Sequence, residues 1–85
     1  NDVLSIHYDF KNPNNVLTLS IWTSEGYRLV KLQESVNVSQ EGFFTWDGTD
    51  SRGQLANSGI YIVVVEYFNQ NGDSEVLKTT CVLSL

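Results

Sequence analysis

Only a handful of side chains in this sequence could do chemistry, and their types and spacing restrict what that chemistry would be. His7 is the sole histidine and Cys81 the sole cysteine. His7 falls on the polar side of an alternating stretch, with no serine elbow or cysteine beside it, so it reads as an ordinary surface or half-buried histidine. Cys81 lies in an apolar run, where a thiol is usually an inert filler. One thiol also excludes an internal disulfide framework and any multi-cysteine metal site. No glycine-rich phosphate cradle follows a strand and opens a helix.

The densest polar stretch is "WDGTDSRGQLANSGIY", residues 46–61. Asp47 and Asp50, with Asp73 further on, offer hard oxygens of the kind calcium takes. These two are the weak metal candidates, but a calcium loop wants acids at alternating positions and a closing glutamate, and neither is present. Aspartates in turns accept backbone N–H bonds, and glycines supply positive φ. Asp47-Gly48, Arg52-Gly53 and Asn57-Ser58-Gly59 are therefore read as turn pairs in a connection between two strands. No cofactor and no catalytic residue is expected. Four aromatics, Trp22, Tyr27, Phe43 and Phe68, fall on positions pointing away from the main apolar stripes, and exposed rings of this kind could bind a glycan or a peptide, or meet a neighbouring domain.

The elements that must hold these residues follow a period of two rather than 3.6. Leu4, Ile6, Tyr8 and Phe10 alternate with Ser5, His7 and Asp9 in a strand from Val3 to Phe10. Leu17, Leu19 and Ile21 alternate with Thr18, Ser20 and Trp22 after the turn cluster Asn12-Pro13-Asn14-Asn15. Ser24-Glu25-Gly26 turns the chain into a strand from Tyr27 to Leu32. Residues 33–41 are polar and irregular, with Val36 and Val38 as a short edge strand, and Phe43 to Trp46 is a compact strand. Gly59 to Phe68 is the longest and most apolar strand, and Ser74 to Leu83 returns from it.

The register of that last hairpin follows from one lysine. A two-residue Asn71-Gly72 turn would put Lys78 on the same face as Tyr61, Val63 and Val65. A three-residue loop with Gly72 left-handed sets Leu77, Thr79 and Cys81 opposite Val65, Val63 and Tyr61, and turns Lys78 to the other face. Burying a lysine costs more than burying a threonine, so the three-residue loop is expected, with Cys81 in the core. No segment reads as a helix, and the whole is expected to be an all-β, antiparallel Ig-like β-sandwich of about seven strands.

Length and charge bound the rest. The 85 residues make a single domain spanning 1–85, 41% hydrophobic with ten aromatics. The absence of methionine suggests a segment of a longer protein, or a processed one. Five bases are scattered among ten acids, for a net charge of −5, so no basic patch exists to neutralise phosphates and no nucleic-acid partner is expected. The longest apolar run, Ile60 to Val65, is too short for membrane insertion.

Leu17 to Leu83 resembles the FlgD-type immunoglobulin-like domain, through "LTLSIWTSEGYRLVKL", "GFFTWDGTDSRGQLANSGIYIVVVE" and "NGDSEVLKTTCVLSL". The resemblance rests on Gly26, Trp46-Asp47-Gly48, Gly53 and Gly59-Ile60-Tyr61. The tail from Gly59 is also similar to the C-terminal sorting domains of type IX secreted proteins, but the Trp-Asp-Gly loop favours the FlgD-like reading. Related modules end many secreted or surface proteins of Gram-negative bacteria, lamin-tail-domain proteins among them. The resemblance implies a non-enzymatic role in assembly, spacing or surface attachment within an exported protein, at the cell surface, outside the cell or in the periplasm. Its partners would be other domains of the parent protein or components of the surface and secretion apparatus. It further implies that Trp46 and Tyr61 plug the core on either side of a loop joining two sheets, and that Asp47 ties the turn.

Overall fold

The computed structural model describes residues 4–84, and all its regular structure is strand. Six antiparallel strands form two facing sheets: β1 (Leu4–Asp9), β2 (Asn15–Thr23), β3 (Arg28–Val38), β4 (Glu41–Trp46), β5 (Gly59–Phe68) and β6 (Ser74–Leu83). One sheet has the order β1-β4, the other β3-β2-β5-β6. Val3, at which the first strand is expected to begin, lies outside the described residues.

The strand count is six rather than seven because the Tyr27–Leu32 strand and the Val36–Val38 edge are one element. β3 stays paired to β2 along its length through three register shifts. At its bend Ser35 takes a positive φ of 49°, and its N–H donates to the Thr18 hydroxyl at 3.0 Å. The polar residues that suggested a break are the bulged turn-over of a continuous strand.

Alternation places the core between the sheets. Leu17, Leu19 and Ile21 of β2, Val63 of β5 and Trp46 of β4 are buried almost completely. Phe10, Ala56, Tyr61 and Leu83 close around them. Aromatic rings fill the end near the Asn12–Asn15 turn: Tyr8 stacks on Phe44 at 5.7 Å between ring centres, and Phe10 meets Tyr67 of β5 at 4.3 Å. The Tyr8 ring lies across its cross-strand partner Gly42, where any side chain would collide with it. Asn15, buried in the same region, donates its amide to the Asn12 carbonyl, so it is not left unsatisfied.

The β5–β6 register pairs Val65 with Leu77, Val63 with Thr79 and Tyr61 with Cys81, and Gly72 has φ 83°. Lys78 therefore stands on the outer face, as the cost of burying it requires. Cys81 is half-buried against the core rather than inside it, because β6 is an edge strand and the two-stranded sheet does not reach fully across it.

Candidate functional site

The connection from Trp46 to Tyr61 carries the largest concentration of the expected motif residues. Trp46 ends β4 with its indole between the sheets, 1% exposed. Its ring N–H donates to the Thr49 carbonyl at 2.9 Å, so the core tryptophan also fastens the first turn of the loop. Asp47 Oδ1 accepts the Thr49 hydroxyl at 2.6 Å and the Thr49 N–H at 3.1 Å. Those hydrogen bonds, the hydroxyl's first, hold the Asp47 carboxyl below the ordinary carboxylate range. Gly48, at φ 85°, lies against Leu83 of β6 and accepts the Ala56 N–H at 2.8 Å. Thr49 and Leu55 form an antiparallel bridge, so the loop doubles back as a miniature hairpin.

The tip of that hairpin is Asp50-Ser51-Arg52-Gly53-Gln54. Asp50 Oδ1 accepts the N–H groups of Arg52 and Gln54 at 2.9 and 3.0 Å. The main chain closes through Asp50 N–H to Gln54 C=O and Gly53 N–H to Asp50 C=O. The loop then re-enters the fold at Tyr61, whose hydroxyl donates to the Asn57 carbonyl at 2.6 Å. The rings of Trp46 and Tyr61 meet edge to face at 5.4 Å, joining the two sheets where the chain crosses between them.

This loop is occupied with itself. One oxygen of each of its carboxylates, Asp47 and Asp50, is engaged by turn donors, and no group of three or more histidine, cysteine or acidic side chains among the described residues is placed to hold a metal ion. His7 lies on the outward face of β1, its ring 5.5 Å from that of its cross-strand partner Phe43. Cys81 is on β6, in the other sheet, and burial pushes its thiol pKa up, away from the thiolate a nucleophile needs. The chain's sole histidine and sole cysteine thus stand in different sheets.

The four aromatics offered as a ligand platform do not share a surface. Tyr27 projects from the β2–β3 turn and Phe43 from the two-stranded sheet, while Phe68 ends β5. Trp22 is half-buried on the outer face of β2, where its ring N–H donates to Ser20 Oγ at 3.0 Å. In the β2–β5 pairing Trp22 stands opposite Ile62 and Phe68 opposite Val16, at opposite ends of the ladder.

A groove not expected from sequence lies on the other side of the molecule. Asp9, Lys11, Tyr67, Asp73, Glu75 and Leu77 surround about 520 Å³ between the end of β1 and the start of β6. Tyr67 donates its hydroxyl to Glu75 at 2.8 Å, which raises the phenol's pKa. Their alternation was visible, but the groove depends on how far one sheet overlaps the other, which no local pattern encodes.

The model of the FlgD Ig-like domain family matches residues 1–72. Among solved structures, a crystal structure of FlgD from Xanthomonas campestris, described as giving insights into the hook capping essential for flagellar assembly, superposes with a TM-score of 0.57 at 21% sequence identity. The match covers 92% of this chain and 62% of that one, so the shared part is a portion of the longer protein. At that identity the likeness speaks for the fold. Comparison with curated protein sequences gave no significant match.

Proposed function

The chain belongs to the FlgD Ig-like domain family, and from that premise we propose that it is a non-enzymatic accessory module of an exported bacterial multidomain protein, serving assembly, spacing or surface attachment. The observation that carries this reading is the Trp46–Tyr61 crossing. Its polar side chains, which in an enzyme would face a substrate, spend their hydrogen bonds on the loop itself. In this reading Trp46, Asp47, Gly48, Gly53, Gly59 and Tyr61 are a structural motif and not a reaction centre. The FlgD structure belongs to a protein described in terms of hook capping in flagellar assembly, which fits a scaffold better than a catalyst. Dispersal of Trp22, Tyr27, Phe43 and Phe68 weighs against a flat glycan platform.

The test is removal of residues 4–84 from the parent protein, followed by cell fractionation and by activity assays of the remaining domains. We expect the parent to be lost from the surface or extracellular fraction while its other domains stay folded and active. Unchanged distribution together with a lost catalytic activity would overturn the proposal.

A further inference from the structure

We propose that the free edge of β1 and the uncovered inner face of β6 form a slot for a strand donated by a partner protein. That strand would be an extended segment with apolar residues at every second position and a basic residue at the end that meets Asp9 and Glu75. The overlap of the sheets creates the slot. β4 approaches β3, and Phe10, just past β1, lies on Tyr67 of β5. At the Asp9 end the two-stranded sheet therefore stops over β5, and the next strand position beyond β1 there lies above the start of β6, across the groove from Asp9 to Glu75. A strand placed there, about 4.8 Å from β1, would roof that stretch of β6.

Three observations give the slot its chemistry. First, among the described residues no strand pairs with β1 on that side. The Phe10 N–H bonds to the Gln40 carbonyl at 2.8 Å, which fixes the phase of the β1–β4 ladder. In an antiparallel ladder alternate residues face opposite edges, so Ser5, His7 and Asp9 turn their N–H and C=O groups to the open side. β1 also has no proline and no lysine to guard that edge. Second, the floor at the start of β6 is exposed and mixed: Leu77 faces inward opposite Val65 yet is 48% exposed, with Glu75 before it and Thr79 after it on the same face. At the far end of β6, by contrast, Gly48 lies over Leu83 and closes it. Third, the groove is acidic, with Asp9, Asp73 and Glu75 against Lys11. That charge selects a basic partner strand. It disfavours a second copy of this chain, which carries a net charge of −5 and would bring the same acids with it. Strand addition at a sheet edge is an established mode of peptide recognition, with main-chain bonds giving affinity and alternate side chains giving selectivity.

The inference rests on the accessory-module reading, but peptide binding can fail while surface delivery still depends on the domain, so the two are separable. The probe is a nine-residue peptide of alternating valine and threonine with a lysine at each end, which serves either strand direction, titrated into the isotope-labelled 85-residue chain. We expect slowed amide exchange at Ser5, His7 and Asp9, and binding about tenfold weaker when the terminal lysines are glutamates. His7→Pro, which removes an edge donor at a position where an edge strand tolerates proline, should weaken binding about tenfold. Asp9→Asn combined with Glu75→Gln, which leaves the core untouched, should erase the preference for lysine over glutamate. A folded domain whose Ser5, His7 and Asp9 amides do not respond to the peptide overturns the slot. Equal binding of both peptides overturns the basic partner. Protection of those amides that rises with protein concentration alone overturns the partner in favour of self-association.

Discussion

The turns at Asp50–Gln54 and Asn69–Asp73 are nearly the same object in two settings. In each, the first residue's side-chain oxygen accepts two N–H groups, from Arg52 and Gln54 in one and from Asn71 and Asp73 in the other. Each main chain closes by the same pair of bonds around a left-handed glycine, Gly53 at φ 81° and Gly72 at φ 83°. A third version, with Thr23 as the first residue and Gly26 fourth, joins β2 to β3. Yet the Asn69 turn merely connects two neighbouring strands, whereas the Asp50 turn sits at the tip of a loop that passes between sheets. What separates them is their support. The crossing loop is pinned at both roots by Trp46 and Tyr61 and laid against Leu83, while the Asn69 turn stands free beside the open groove. Turn chemistry bends the chain in both places, and burial decides where the bent chain goes.

The strongest way to break this contrast is to remove the root of the crossing loop. Trp46→Ala should cost about 3–5 kcal/mol, the usual range for a buried large aromatic, and a domain this small has little stability to spare. Urea unfolding measures it; a loss under about 1 kcal/mol would contradict the supporting role given to Trp46. The glycines offer a finer comparison. Gly72→Ala meets open space and should lose only the left-handed penalty of about 1–2 kcal/mol. Gly48→Ala pays the same penalty and also brings its methyl to 3.3 Å from Leu83, so its loss should be larger. Equal midpoints for the two variants would show that the loop does not bear on β6.

The smallest effect is acid sensitivity at Asp47. Its folded pKa is lowered, so in the window between the folded and unfolded values the unfolded chain holds more protons. The contribution is complete above the unfolded value near 4 and fades as pH falls through the folded one. Asp47→Asn should therefore flatten the stability profile below about pH 4, as read by thermal unfolding across pH. An unchanged acid limb would mean that the Thr49 bonds do not distinguish the charged carboxylate.

The alternating strands and the last hairpin were legible because each rests on a local rule. A single lysine could not be buried, and that fixed the pairing of Leu77 with Val65. The seventh strand was not legible correctly, because the break suggested by residues 33–35 is bridged by a positive φ at Ser35 and a side-chain acceptor on Thr18, seventeen residues away. The recurrent turn could have been found from sequence as threonine, aspartate or asparagine three places before glycine. The depth of Cys81 and the groove at Asp9 and Glu75 could not, since both follow from how far a two-stranded sheet extends over a four-stranded one.

The bulged edge at β3 has a consequence for crowding. Three slips in its pairing with β2 contort its backbone, so a strand laid along its outer margin would meet donors and acceptors out of step. The irregular rim therefore works against lateral fusion of neighbouring domains into longer sheets on that side.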